Sequence, residues 1–244
     1  MSKRGKLLGA LGVLAIAGVI GASALYYFVI RNDSPDAVSI DGAIQAARNG
    51  TPGAGNNGQT GDDRDRAMAG TWRVVPGANS FVGYRVQEEL AGIGSSTAVG
   101  RSNGVDGNLQ FDGDKITAVQ VTADLTQLKS DKAPRDGQLK RQAIETDKFP
   151  SATFALSSPI DIKDVPDAGS KVTQDVKGKL TLHGVTKDVS LSVQGVLDNN
   201  QVIVVGSTQV QFADYNIQKP QSQAVLGVED KGVMEFQLVF AKAA

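Results

Sequence analysis

The stretch "VKGKLTLHGVTKDVSLSV", residues 176–193, decides the fold class. Val189, Leu191 and Val193 alternate with Ser190 and Ser192, and the pattern runs on through Gln194 to Leu197. Successive side chains of a strand point to opposite faces, so this is a half-buried strand with one apolar and one polar side. Before it, "KLTL" is a second strand. His183-Gly184-Val185-Thr186-Lys187 lies between the two, where glycine supplies the backbone freedom of a turn. Two strands joined by so short a connection must be antiparallel.

The same reading extends in both directions. Val119, Val121, Ala123 and Leu125 alternate with Gln120, Thr122 and Asp124. Near the C-terminus Met234, Phe236, Leu238 and Phe240 alternate with Glu235 and Gln237. Asp112-Gly113 and Asp198-Asn199-Asn200 are turn signals between such segments. Seven or eight strands with regularly spaced turns predict an all-β barrel or sandwich. A closed barrel is favoured because it leaves no edge strand open to aggregation. One segment departs from this period: "PRDGQLKRQAIETDKF", residues 134–149, has Leu139 and Ala143 one helical turn apart among charges. It predicts a short helix, ended before Pro150, that caps one end of the barrel.

N-terminal to the barrel the chemistry changes. Residues 7–30 carry no charge, and as a helix they span roughly 36 Å, enough for a bilayer core. Lys3, Arg4 and Lys6 precede them, which places the N-terminus in the cytoplasm and the remainder outside it. The expectation is a single-pass anchor in the cell membrane. The alternative is a signal peptide cleaved after Ala24, giving a secreted protein. Residues 31–70 contain "NGTPGAGNNGQTGDDRDR" and few large apolar side chains, so a flexible linker is expected, with one weak helix around residues 41–48. The expected organisation is thus anchor (1–30), linker (31–70) and barrel (71–244).

Composition removes most catalytic schemes. The chain has 244 residues, no cysteine and one histidine, His183, with a net charge of −1. Disulfides, thiolate metal sites, cysteine nucleophiles and a lipidated N-terminal cysteine are excluded. A site built from two imidazoles is excluded too, and near-neutral charge argues against a nucleic-acid partner. No metal, cofactor or catalytic residue is expected. His183 reads as a residue fixing its hairpin, and no Gly-x-Ser-x-Gly elbow accompanies it. Glu88 and Glu89 are neighbours on a strand and point to opposite faces, so they cannot form a facing pair of acids. Trp72 reads as a barrel plug. Arg135 has two readings: helix-end electrostatics with an ion pair to the rim, or a cation facing a ligand's polar head.

Four stretches together resemble the YceI family of lipocalin-like barrels associated with isoprenoid-lipid binding. They are "TWRVVPGANSFVGYRV" (71–86), "VDGNLQFDGDKITAVQVTADLTQLKSD" (105–131), "RDGQLKRQAIETDKFPSATF" (135–154) and residues 176–193 already quoted. Many members carry a histidine in or just after the second strand, where this chain has Glu88 and Glu89. The resemblance implies a lipid-sized cavity holding an isoprenoid-type lipid or a similar long apolar ligand. Its expected lining, chosen by alternation and size, is Phe81, Tyr84, Leu109, Phe111, Val119, Val121, Phe154, Leu180, Leu182, Leu191, Phe212, Phe236 and Leu238. Summing about 0.8 kcal/mol per buried methylene over a long polyprenyl tail overshoots the affinity ceiling of roughly 20 kcal/mol. Ordering of the tail must offset much of that gain, which predicts modest tail specificity. The partners expected are this ligand and the membrane; a homodimer is kept as a candidate assembly. The competing functions are an envelope stress-related hydrolase and an adhesion or scaffold module with a fully packed barrel.

Overall fold

Strand pairing in this chain is antiparallel throughout the computed structural model, which describes residues 34–50, 68–77, 79–92, 94–162, 168–220 and 225–243. In chain order the elements begin with α1 (Ile40–Gly50), β1 (Gly70–Val74), β2 (Phe81–Leu90), β3 (Gly94–Ser102), β4 (Val105–Phe111) and β5 (Lys115–Asp124). Next come β6 (Lys129–Ser130), α2 (Ala133–Gln138), β7 (Ser151–Leu156), β8 (Ile160–Asp161) and β9 (Lys171–Leu182). The chain ends with β10 (Val185–Asp198), β11 (Gln201–Gln211), β12 (Val225–Val228) and β13 (Lys231–Lys242).

Eight strands form a closed ring in the order β1-β4-β5-β7-β9-β10-β11-β13. Strand β13 returns to β1 with Trp72 opposite Lys242 and Val74 opposite Phe240. The other half of β13 pairs with β2, placing Phe236 opposite Val82. β2 then carries β3 on one side and the short β12. The expected barrel is therefore closed, and its turns have the expected chemistry. His183 (φ 50°) and Gly184 (φ 74°) make the two-residue β9–β10 turn, and Asn199 (φ 48°) and Asn200 (φ 59°) make the β10–β11 turn. Positive φ at both central residues is the turn type whose twist suits a hairpin.

The predicted helix is present but shorter than residues 134–149. Pro134 stands in its first turn, where a missing N–H costs nothing. After Gln138 the winding loosens: the Ile144 N–H reaches back five residues to the Leu139 carbonyl at 2.8 Å. This wider turn brings Ala143 into contact with Leu180, Val210 and Tyr215. Glu145 then takes a left-handed conformation (φ 49°), which ends the helix well before Pro150.

Two expectations need correction. The first is the flexible linker at 31–70. Its residues 34–50 are packed on the outside of the barrel, with Ile40, Ala43 and Ala47 of α1 against Val196, Ile203, Val205 and Val239. Arg48 donates two bonds to Asp198 at the β10–β11 turn, at 2.8 and 3.0 Å. Lys171 pairs with Asp41 at 2.5 Å near the other end of the helix. The weak helix expected at 41–48 is Ile40–Gly50, held by packing that local propensity alone does not show. The second concerns the wet outer face. Glu235 and Gln237 do alternate with Phe236 and Leu238, yet both are buried: Glu235 lies beneath Arg85 and Arg101, which also hold the Pro35 and Asp36 carbonyls, and Gln237 donates to the Asn79 carbonyl. The expected anchor at 1–30 lies outside the described residues. Among the described residues no helix is long and apolar enough to cross a membrane.

Candidate functional site

The barrel interior is hollow. Inward-facing residues of the ring strands enclose a cavity of about 240 Å³. Its wall is hydrocarbon and aromatic: Trp72 from β1, Leu109 and Phe111 from β4, Val119 and Val121 from β5, Phe154 from β7, Leu191 and Val193 from β10, and Phe236, Leu238 and Phe240 from β13. Thr153, Ser170 and Gln174 are the only polar side chains on that wall among the described residues. An engineered apolar cavity of about 150 Å³ stays dry and takes benzene, so this space admits a larger apolar ligand. Trp72 is 2% exposed, and its indole N–H is spent on the Met68 carbonyl at 2.9 Å. It offers the interior only an apolar surface. It is thus a wall of the cavity, which refines the expected plug.

Two glycines keep the space open. The Tyr84 ring covers Gly100, where a Cβ would stand 2.4 Å from a ring carbon. The Phe154 ring covers Gly178 in the same way. Each aromatic side chain can therefore lie along the wall instead of projecting into the cavity.

A second chamber of about 140 Å³ adjoins the first and shares Val82, Ala152 and Met234 with it. It lies under the wider turn that follows α2, lined there by Leu139, Ala143 and Ile144. It is the polar end of the interior. Val82, Tyr84, Val86 and Glu88 line it from one face of β2, and Arg135 lines it from α2. Glu88 is buried and accepts from the Arg135 guanidinium, which also donates to Asp131. Burial alone works to lower the Arg135 pKa, but the bond to Glu88 and the nearby carboxylates outweigh it and raise it. The Tyr84 hydroxyl oxygen is buried with no hydrogen-bond partner. Its pKa is raised by burial first, so it stays protonated and is a donor without an acceptor.

Of the expected lining residues, the main cavity wall holds Leu109, Phe111, Val119, Val121, Phe154, Leu180, Leu191, Phe236 and Leu238. The second chamber holds Tyr84, Leu182 and Phe212. Phe81 is the exception. It lies an odd number of residues from Tyr84 on one strand, so the two cannot share a face. Phe81 packs outside, with the Arg101 guanidinium 4.2 Å from its ring centre. Glu89 is exposed, as its parity with Glu88 requires. Alternation would have found Val82, and the partnership of Glu88 with Arg135, 47 residues apart, has no local signal. His183 is buried in its turn, with Nδ1 2.9 Å from the Tyr215 carbonyl oxygen and Nε2 3.1 Å from a Glu145 carboxylate oxygen.

Comparison with known proteins agrees with this architecture. A family model described as YceI-like domain matches residues 72–240. A UPF0312 protein of Vibrio vulnificus (strain YJ016) is 31% identical over 150 residues, 58% of this chain and 74% of that protein. One from Shewanella sp. (strain W3-18-1) is 30% identical over 187 residues, 69% of this chain and 94% of that protein. Among solved structures, a polyisoprenoid binding domain from Saccharophagus degradans implicated in plant cell wall breakdown aligns with a TM-score of 0.54. It is 17% identical, over 70% of this chain and 98% of that one. BcnA from Burkholderia cenocepacia aligns at 0.52 with 21% identity, over 68% and 98%. At these identities the structural likeness concerns the fold.

Proposed function

This chain belongs to the YceI-like domain family, and from that premise we propose that it binds an isoprenoid-type lipid, or another long apolar ligand, inside its barrel. The observation that carries the proposal is the 240 Å³ cavity with an almost wholly apolar wall. Each methylene moved from water into such a wall gains about 0.8 kcal/mol. The related domain from Saccharophagus degradans, described as polyisoprenoid binding, supports the same ligand class. The role is that of a binder or carrier, not an enzyme; the partners already held by both His183 ring nitrogens support a structural part for that residue. A scaffold with a fully packed barrel has no support from an interior holding two chambers. The proposal includes the location: residues 7–30 as a membrane anchor, N-terminus in the cytoplasm, and the barrel outside.

Native mass spectrometry of the full-length chain, with extraction of what it carries, tests the binding. Co-purifying prenyl species, or uptake of an added polyprenyl alcohol, is expected. A barrel that carries nothing and takes up nothing overturns the reading. The same spectra distinguish a monomer from a homodimer. Any shortened version should begin at Ser34, because a start at Thr71 strips α1 from the barrel. Accessibility of an N-terminal and a C-terminal tag to protease in intact cells tests the orientation.

A further inference from the structure

Resting on the lipid-binding reading, we propose that the second chamber selects the ligand's head: it accepts an uncharged head offering an oxygen acceptor to Tyr84, such as an alcohol or carbonyl, and disfavours a diphosphate.

Three observations lead there. The Tyr84 hydroxyl is buried in the chamber wall and has no partner. Buried polar groups in native proteins are nearly always hydrogen-bonded, and one that is not requires an explanation, such as a bound water, ion or ligand. A phenol in the wall of a chamber that shares Val82, Ala152 and Met234 with the apolar cavity is matched by an apolar chain ending in an acceptor oxygen.

The cation that an anionic head would require is already occupied. Arg135 gives one guanidinium nitrogen to Glu88 and another to Asp131. A diphosphate would have to displace Glu88, leaving that carboxylate buried without its partner.

The surrounding charge points the same way. The ionised groups that bear on the Tyr84 hydroxyl are Arg135 and three carboxylates, Glu88, Asp131 and Asp136. Asp136 is held in place by the Ser130 backbone N–H at 2.8 Å and the Ser130 hydroxyl at 2.7 Å. Lys132 lies 3.6 Å from Asp131 and offsets part of this charge at the rim. A multiply charged anion entering here meets like charges in a poorly solvated space. A neutral oxygen meets only a donor.

The test compares three ligands of equal chain length on the full-length chain: geranylgeraniol, geranylgeranyl diphosphate and the hydrocarbon phytane. Trp72, the one tryptophan, lines the main cavity and reports occupancy by its fluorescence. The alcohol is expected to bind at least about tenfold more tightly than the diphosphate, the combined effect of one bond gained and a repulsion avoided. Tyr84→Phe is expected to weaken the alcohol several-fold more than it weakens phytane. Glu88→Gln removes one of the two carboxylates that hold Arg135 and is expected to narrow the gap between alcohol and diphosphate. Equal or tighter binding of the diphosphate by the unaltered chain overturns the inference, and so does a Tyr84→Phe chain that keeps full affinity for the alcohol. Either result, with phytane still bound, leaves the lipid-binding reading standing. If none of the three binds, the lipid-binding reading falls and this inference with it. Should Glu88→Gln fail to fold, the ligand ratio of the unaltered chain and the Tyr84→Phe result decide the matter.

Discussion

The Phe154 ring on β7 occupies the space that a side chain at Gly178 on β9 would need. A Cβ at Gly178 would stand 2.2 Å from the ring and 2.7 Å from the Ala155 carbonyl oxygen. The carbonyl belongs to the sheet and has little room to retreat, so the ring must move, and the open direction is the cavity. Gly178→Ala should therefore destabilise the barrel by about 1–3 kcal/mol, the usual cost of overpacking. It should also reduce uptake of apolar ligand. Urea unfolding and a ligand titration on the same sample check both effects. Gly227→Ala is the control, since it lies off the cavity wall and its nearest neighbour would be 4.0 Å away. Equal behaviour of the two variants would show that the ring does not depend on Gly178.

Glu235 ties the outer face together. It is 1% exposed and accepts from Arg85 Nε at 2.8 Å and from Arg101 at 2.9 and 3.2 Å. The same two arginines donate to the carbonyls of Pro35 and Asp36, so one carboxylate orients the cations that hold residues 34–38. Removing one partner of a buried pair costs about 3–5 kcal/mol, and the partial exposure of both arginines makes the lower end the expectation for Glu235→Gln. Thermal unfolding measures the loss. Faster hydrogen exchange in α1 should accompany it, and unchanged exchange there would separate the carboxylate from the strap.

How much of this was legible depended on whether one strand's own pattern carried the information. The hairpin at 176–193 was readable because Leu191 and Val193 alternate with serines and its turn residues are local. The cavity wall followed from the same parity, and the error at Phe81 came from ranking it by size against the parity of Tyr84. The packed strap was hidden in residues 34–50, whose apolar content is slight. Its signal lay elsewhere: Val202-Ile203-Val204-Val205 on β11 is apolar on both faces, with Val202 and Val204 on the cavity and Ile203 and Val205 under α1. A strand without a polar face announces a cover on its outside. The pairing of Glu88 with Arg135 was not legible, because ion pairs between distant strands and helices leave no periodic trace. Arg135 read alone therefore left two roles open, an ion pair to the rim and a ligand's polar head, and the structure shows the ion pair.

The strap gives its own prediction. Ala43 is 0% exposed, at the centre of the contact between α1 and the barrel. Ala43→Glu puts a carboxylate against Ile203 and Val239, where it has no water and no partner. The helix should detach while the closed ring, whose hydrogen bonds do not involve it, remains folded. Circular dichroism should then show a small loss of helix, and limited proteolysis a new cut between residues 34 and 50. The α1 segment should exchange its amides fast in this variant and slowly in the unaltered chain. Cooperative unfolding of the whole barrel would instead make the strap part of the core.

The response to acid follows from carboxylates that the fold keeps ionised. The Glu145 carboxyl is held below its ordinary range by the Lys148 ammonium first and the His183 ring second, against the opposing effect of burial. Asp124 is held down by the Thr126 hydroxyl and then the Gln127 amide, which it accepts from at the start of a short helical turn. A carboxyl whose pKa is lower in the folded than in the unfolded chain makes the unfolded state bind more protons in the window between the two values. Stability therefore rises with pH across that window. The contribution is complete above the unfolded value, about 4 for these groups. It is lost as the pH falls through the depressed folded value. Melting temperature should thus be flat through the neutral range with respect to these groups and decline below pH of about 4. Glu145→Gln and Asp124→Asn should each lower the melting temperature at neutral pH and approach the unaltered chain in strong acid, so that the decline is shallower. Curves that stay parallel to the unaltered chain down to the acid limit would mean that neither carboxylate contributes to the acid sensitivity.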